Sequence, residues 1–214
     1  MEAARYALTR RLLPVLRHHM VVHLQPIGMI YEVLDRKMVA EVDDIAPLRE
    51  GLTKINTLAR SAITSCLDVV SWLAPESSAV TPLGRGVDEC IELLASNFRF
   101  RGFTVDNSVG AAALPVSQAA LREVFTSALM AFSDDATGAL KLSVTAQVSE
   151  QGAVLSIQRR PGEGSGFTTE MAYRSLSWAD VEALAHVHKV LLARTDGVTL
   201  SFPACAEPAP AADS

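Results

Sequence analysis

The chain has 214 residues, 49% of them apolar, and 19 Lys and Arg against 24 Asp and Glu give a net charge of −5. That length holds one large domain or two small ones, and the apolar share is ample for a hydrophobic core. The charges are mixed and form no basic run, which excludes nucleic acid as the expected partner, because an acidic surface repels phosphate backbones. Three cysteines, Cys66, Cys90 and Cys205, are too few and too scattered for a disulfide framework or the paired spacing of a zinc site, and they fit a reducing compartment. Charge interrupts the first twenty residues too often for a signal peptide. No stretch approaches the roughly 18 uninterrupted apolar residues of a membrane span, so a soluble cytoplasmic protein is expected.

From about Ala4 to Val39, Leu12, Leu16, Met20, His23, Ile27, Ile30 and Leu34 recur at steps of three and four, the stripe of an amphipathic helix. Pro14 and Pro26 lie inside it and should loosen or bend it by removing backbone donors. At about 1.5 Å per residue such a helix is roughly 50 Å long, too long to bury its stripe by itself. After an acidic break at Glu41 to Asp44, a second helix is predicted with Asp44 as N-cap and Pro47 in its first turn. It carries Leu48, Leu52, Ile55, Leu58, Ala62, Ile63, Cys66, Val69, Val70 and Leu73, and stops before Pro75. Two helices cannot enclose a core, and pairing two such hairpins about a twofold axis gives a four-helix bundle. A homodimer is therefore predicted.

Beyond Pro82 the periodicity is mixed. Helices are predicted over Gly84 to Phe98, Ser117 to Ser133 and, from a capping-box-like start at Ser177 to Asp180, through Arg194. Strands are predicted at Phe103 to Val105, at Leu140 to Val148 with Ala153 to Gln158 paired across a turn, and at Val198 to Phe202. The fold class is α+β: a dimerising helical hairpin over residues 1–76, helices layered on a mostly antiparallel sheet over 77–203, and a Pro/Ala-rich disordered tail over 204–214.

The segment Leu16 to Met29 holds three of the five histidines. His19 and His23, four residues apart, follow the apolar stripe and should point inward. Their spacing suits a metal, but no acid or cysteine lies nearby, so packing is the expected role. His18 is turned by about 100 degrees and shares its face with Arg11 and Gln25, so its ring should reach solvent. A neutral imidazole there presents a lone pair competent to attack phosphorus. His186 and His188 have no such context. Arg159 to Gly166 is Gly-rich but lacks a Walker lysine, which makes it a loop rather than a phosphate cradle, and Arg99 and Arg101 read as a solvated edge.

Arg17-His18-His19-Met20-Val21-Val22-His23-Leu24-Gln25-Pro26-Ile27-Gly28 resembles the RHDxxNHLQxIxG phosphoacceptor box of histidine kinases and sporulation-type histidine phosphotransferases. Matches fall at Arg17, His18, His23, Leu24, Gln25, Ile27 and Gly28. His19 replaces the family's acid and Val22 its usual Asn. That acid helps to take a proton from the imidazole when ATP is the donor, whereas transfer from an aspartyl-phosphate asks less of the site. The resemblance implies that the second half is an ATPase-like α/β sandwich, and there the motifs are degenerate. Ala131 stands where the family holds magnesium with Asn. Arg159-Arg160-Pro161-Gly162-Glu163-Gly164 replaces the Asp-Gly-x-Gly adenine element, and no Gly-rich lid precedes the last helix.

The resemblance thus implies a phosphorelay histidine phosphotransferase with His18 as catalytic residue. Receiver domains of response regulators would dock on Arg11, Val15, Arg17, His19, Val22 and Gln25. No cofactor would be bound by this chain, and Mg2+ would come with the receiver. The alternatives are a catalytically silent pseudokinase adaptor that binds a response regulator or kinase, and an ATP-dependent histidine kinase with an unusual pocket.

Overall fold

The computed structural model describes residues 1–39, 45–74, 76, 78–134, 136–163 and 174–206. The chain divides into two compact units, Leu13–Ala74 and Met1–Leu12 together with Pro75–Ser214. The division falls between Leu12 and Leu13, inside the first helix, and between Ala74 and Pro75.

The first unit is a helical hairpin. Helix α1 (Glu2–Val39) runs through both Pro14 and Pro26, because each proline removes only one ladder bond and the flanking turns keep theirs. Helix α2 (Ala46–Leu73) starts with Pro47 in its first turn and without a side-chain cap at Ile45; Asp44 and the acidic break lie outside the described residues. The α1 stripe falls where its spacing places it. Within the hairpin Leu16 and Leu34 are buried, and Met20, His23, Ile27 and Ile30 are half-buried. On α2, Gly51, Ala62 and Val69 are buried. A Cβ at Gly51 would stand 2.5 Å from Leu34 Cδ2, so the missing side chain lets the helices approach closely there. The other face of α2 leaves Leu52, Ile63, Leu67 and Val70 exposed.

In the second unit, a short ribbon pairs β1 (Val80–Pro82) with β3 (Pro115–Ser117) antiparallel. Neither strand is legible in the sequence. Helix α3 (Leu83–Phe100) leads into β2 (Phe103–Asn107), which runs parallel to β4 (Leu140–Ser149). Strand β5 (Gly152–Pro161) and β7 (Val198–Pro203) continue the sheet antiparallel, and β6 (Leu191–Arg194) completes the order β2-β4-β5-β7-β6. Period-2 alternation puts Leu142, Val144, Leu155, Ile157, Val198 and Leu200 on one buried face. Over it lie α3, α6 (Trp178–Val187) and one long helical run: α4 (Gln118–Ala120), a π-helical turn (Leu121–Phe125) and α5 (Thr126–Asp134).

The helix predicted through Arg194 ends at Val187 instead. Lys189 takes a left-handed conformation at φ 56°, and the Val190 amide donates to the Ala185 carbonyl at 2.9 Å. This C-terminal motif stops the helix and turns the chain into β6. The capping box at Ser177 and Asp180 is present as read. Arg159 to Pro161, read as loop, belong to β5 and pair with Leu140 to Leu142 of β4. At the end of the chain, the Cys205 amide donates to the Pro115 carbonyl at 2.8 Å; residues 207–214 lie outside the described residues. No helix among the described residues is long and apolar enough to cross a membrane.

Candidate functional site

His18 is exposed on α1, with Arg17, Val22 and Gln25 also exposed and His19 half-buried. Its ring centroid lies 6.3 Å from that of His19, the two planes 72° apart. One helical stretch therefore presents the imidazole, a second imidazole edge-on to it, a cation, and apolar surface from Val21, Val22 and Leu24. His23, predicted to face inward with His19, is half-buried as His19 is. Among the described residues no group of His, Cys, Asp and Glu is placed to hold a metal ion.

Two of the predicted contact residues are elsewhere. Arg11 does not share an open face with His18: it is buried and donates from both terminal guanidinium nitrogens to the Asp134 carboxylate, at 2.7 and 2.8 Å. Seven residues of helix put Arg11 and His18 at nearly the same angle about α1, but the Asp134 carboxylate covers the turn that carries Arg11. Val15 is buried as well, since its position extends the Leu8 and Leu12 stripe rather than the solvent face. The exposed set around His18 thus reduces to Arg17, Val22 and Gln25, with His19 at its edge.

Arg101, read as a solvated edge, is buried too. It donates to the Ser133 carbonyl at 2.9 Å and to Asp134 at 3.3 Å, and its guanidinium carbon sits 4.4 Å from the Phe103 ring centroid. Burial pulls its pKa down, and the Asp134 carboxylate opposes that pull. His188 is not an ordinary surface histidine either. Its Nε2 lies 2.9 Å from Glu123 Oε2, the same oxygen that accepts from Arg5 Nε at 2.9 Å. Burial would raise the Glu123 carboxyl, but the bonds from His188 and Arg5 outweigh it and hold the group below the ordinary carboxylate range.

Where the resemblance places nucleotide-binding groups, other interactions stand. Ala131 is buried in α5. Arg159, in the segment that stands in place of the Asp-Gly-x-Gly element, donates to the Phe132 carbonyl at 2.9 Å and lies over the Phe132 ring at 4.8 Å. Phe132 meets Trp178 edge-on at 6.2 Å, and Arg194 covers the Trp178 ring at 4.2 Å. The result is an alternating arginine and aromatic stack worth about 0.5–1 kcal/mol per exposed cation–ring contact. A cavity of about 430 Å³ lies between Met29, Leu34 and Pro47 in the hairpin, and an open groove of about 630 Å³ between α3 and residues 110–113. His18 lines neither.

No protein-family model matches the chain, and no curated protein does. Among solved structures, the Acinetobacter baumannii histidine kinase AdeS is similar at 14% identity, covering 85% of this chain and 96% of that one with a TM-score of 0.45. A histidine kinase from Burkholderia phymatum is similar at 14% identity over 86% of this chain and 96% of its own, with a TM-score of 0.42. The ATP-binding domain of PrrB from Mycobacterium tuberculosis is similar at 16% identity over 61% of this chain and all of its own, with a TM-score of 0.44. All three TM-scores lie below 0.5.

Proposed function

We propose that this protein is a histidine phosphotransferase of two-component signalling, passing a phosphoryl group between the aspartates of response-regulator receiver domains through His18. The observation that carries the reading is the exposure of His18 within the Arg17 to Gly28 box on α1, outside the described cavities. A small phosphoryl donor needs a pocket to hold it, whereas a protein donor brings its own site and needs only an accessible nucleophile. A neutral ring nitrogen of His18 attacks phosphorus. The P–N bond forms as the bond to the receiver's aspartyl oxygen breaks, the carboxylate leaves, and the imidazole proton passes to solvent. Return transfer to a second receiver reverses these changes. Magnesium is brought by the receiver, and positioning supplies most of the catalysis.

Receiver contact runs through Arg17, His19, Val22 and Gln25. The exposed α2 face of Leu52, Ile63, Leu67 and Val70 pairs with a second copy to close a four-helix bundle, because apolar residues at helical spacing left in water favour a self-complementary interface. The α/β unit is a degenerate ATPase-like domain that serves as a scaffold, a reading supported by Ala131 in place of the magnesium-holding Asn and by the absence of an Asp from the segment 159–164.

Incubation with a phosphorylated receiver, and separately with labelled ATP, tests the assignment with His18→Ala as the control. Acid-labile label from the receiver, lost in His18→Ala, is the expected result. Label from ATP alone would overturn it in favour of a kinase, and label from neither in favour of a silent adaptor.

A further inference from the structure

The first twelve residues of the chain, the start of α1 among them, group with the α/β unit and not with the hairpin. They are held by apolar burial and by two ion pairs. Ala4, Ala7, Leu8 and Leu12 are buried. Arg5 reaches Glu123, which projects from the π-helical turn, and Arg11 reaches Asp134 at the end of α5. Two residues past this segment stands Pro14, which brings no amide hydrogen to the Arg10 carbonyl four positions back, so the helix has one ladder bond fewer at this point.

Both receiving carboxylates keep a second partner within the unit. Asp134 also accepts from Arg101 at 3.3 Å and from the Leu176 amide at 3.4 Å. Glu123 also pairs with His188 at 2.9 Å. If the segment leaves, neither carboxylate is orphaned, and the heavy penalty that normally follows loss of one partner from a buried ion pair is avoided on that side. The departing arginines regain water. The apolar seat is small, two of its four side chains being alanine, so burial alone does not fix it. These are the conditions for local opening at a free energy below that of global unfolding.

We propose that residues 1–12 form a releasable strap, hinged at Pro14, whose docking on the α/β unit is decided by its ion pairs to Glu123 and Asp134. The strap is a property of this unit and does not depend on the phosphotransfer reading. Removing the Asp134 charge weakens the strap without dismantling the helix that carries it.

Amide hydrogen exchange of the full chain reads this directly. In Asp134→Asn, amides of residues 4–12 should exchange on the order of tenfold faster or more, while those of the buried run 121–133 keep their protection. Trypsin should then cut after Arg10 or Arg11 before it cuts elsewhere in the unit. Pro14→Ala, which restores the missing donor, should slow exchange over the same residues. Should Asp134→Asn fail to fold, Arg11→Gln on the strap itself gives the same reading. Unchanged exchange over 4–12, or loss of protection there and in 121–133 by the same factor, would overturn the proposal, since the segment would then belong to one cooperative core.

Discussion

His188 and Glu123 meet at 2.9 Å although 65 residues separate them, and the meeting depends on a strained turn immediately beyond the histidine. Lys189, in its left-handed conformation, ends α6 with His188 at the C-cap, from where the ring reaches the π-helical turn.

That turn supplies one prediction. A side chain with a Cβ at φ 56° costs about 1 kcal/mol relative to glycine, so Lys189→Gly should raise stability by roughly 0.5–1 kcal/mol. Urea denaturation checks it, and a lowered midpoint would show that the lysine side chain itself holds the turn.

Acid sensitivity follows from Glu123. Its folded carboxyl titrates below the ordinary glutamate value. The sign is that of a depressed acid: its contribution to stability is complete above that value and fades as pH falls through the lower, folded one. Glu123→Gln should therefore cost about 1–3 kcal/mol at pH 7 and less as acid is added, narrowing its gap to the unmodified protein. Urea titrations from pH 3 to pH 7 measure the gap, and one that stays constant would contradict the assignment.

The three cysteines should differ in reactivity. Burial pushes the Cys90 thiol up to about 12, whereas Cys66 and Cys205 are only half-buried. Because the thiolate is the reacting species, a disulfide reagent at pH 8 should titrate two thiols in the folded protein and the third only on unfolding. Three thiols reacting together would show that α3 opens readily.

Backbone contact at Gly84 gives a fourth test. A Cβ there would collide with the Gly110 carbonyl oxygen and crowd the Ala112 amide, which are backbone atoms and cannot rotate away. The Gly84 amide also donates to the Ala112 carbonyl at 2.9 Å. Gly84→Ala should destabilise by about 2 kcal/mol or more in spite of alanine's better helix propensity, a loss visible as a lower thermal midpoint.

On α2, Ile63→Glu examines the pairing of two hairpins. A charge within the exposed apolar stripe should shift the protein from dimer to monomer in light scattering, while far-ultraviolet circular dichroism stays unchanged. A monomeric unmodified protein would remove the bundle from the reading.

Local pattern sufficed for the α1 and α2 stripes, the alternation of β4, β5 and β7, the Ser177 capping box and the exposure of His18. All of these depend on periodicity and on neighbours a few residues away, where side-chain spacing fixes direction. Only tertiary structure decided that Arg11 and Arg101 turn inward to Asp134, that His188 meets Glu123, and that α6 stops at Val187. An ion pair spanning 123 residues, such as Arg11 with Asp134, leaves no local pattern, because whether a charged side chain faces water or a buried carboxylate is set by which element packs against it.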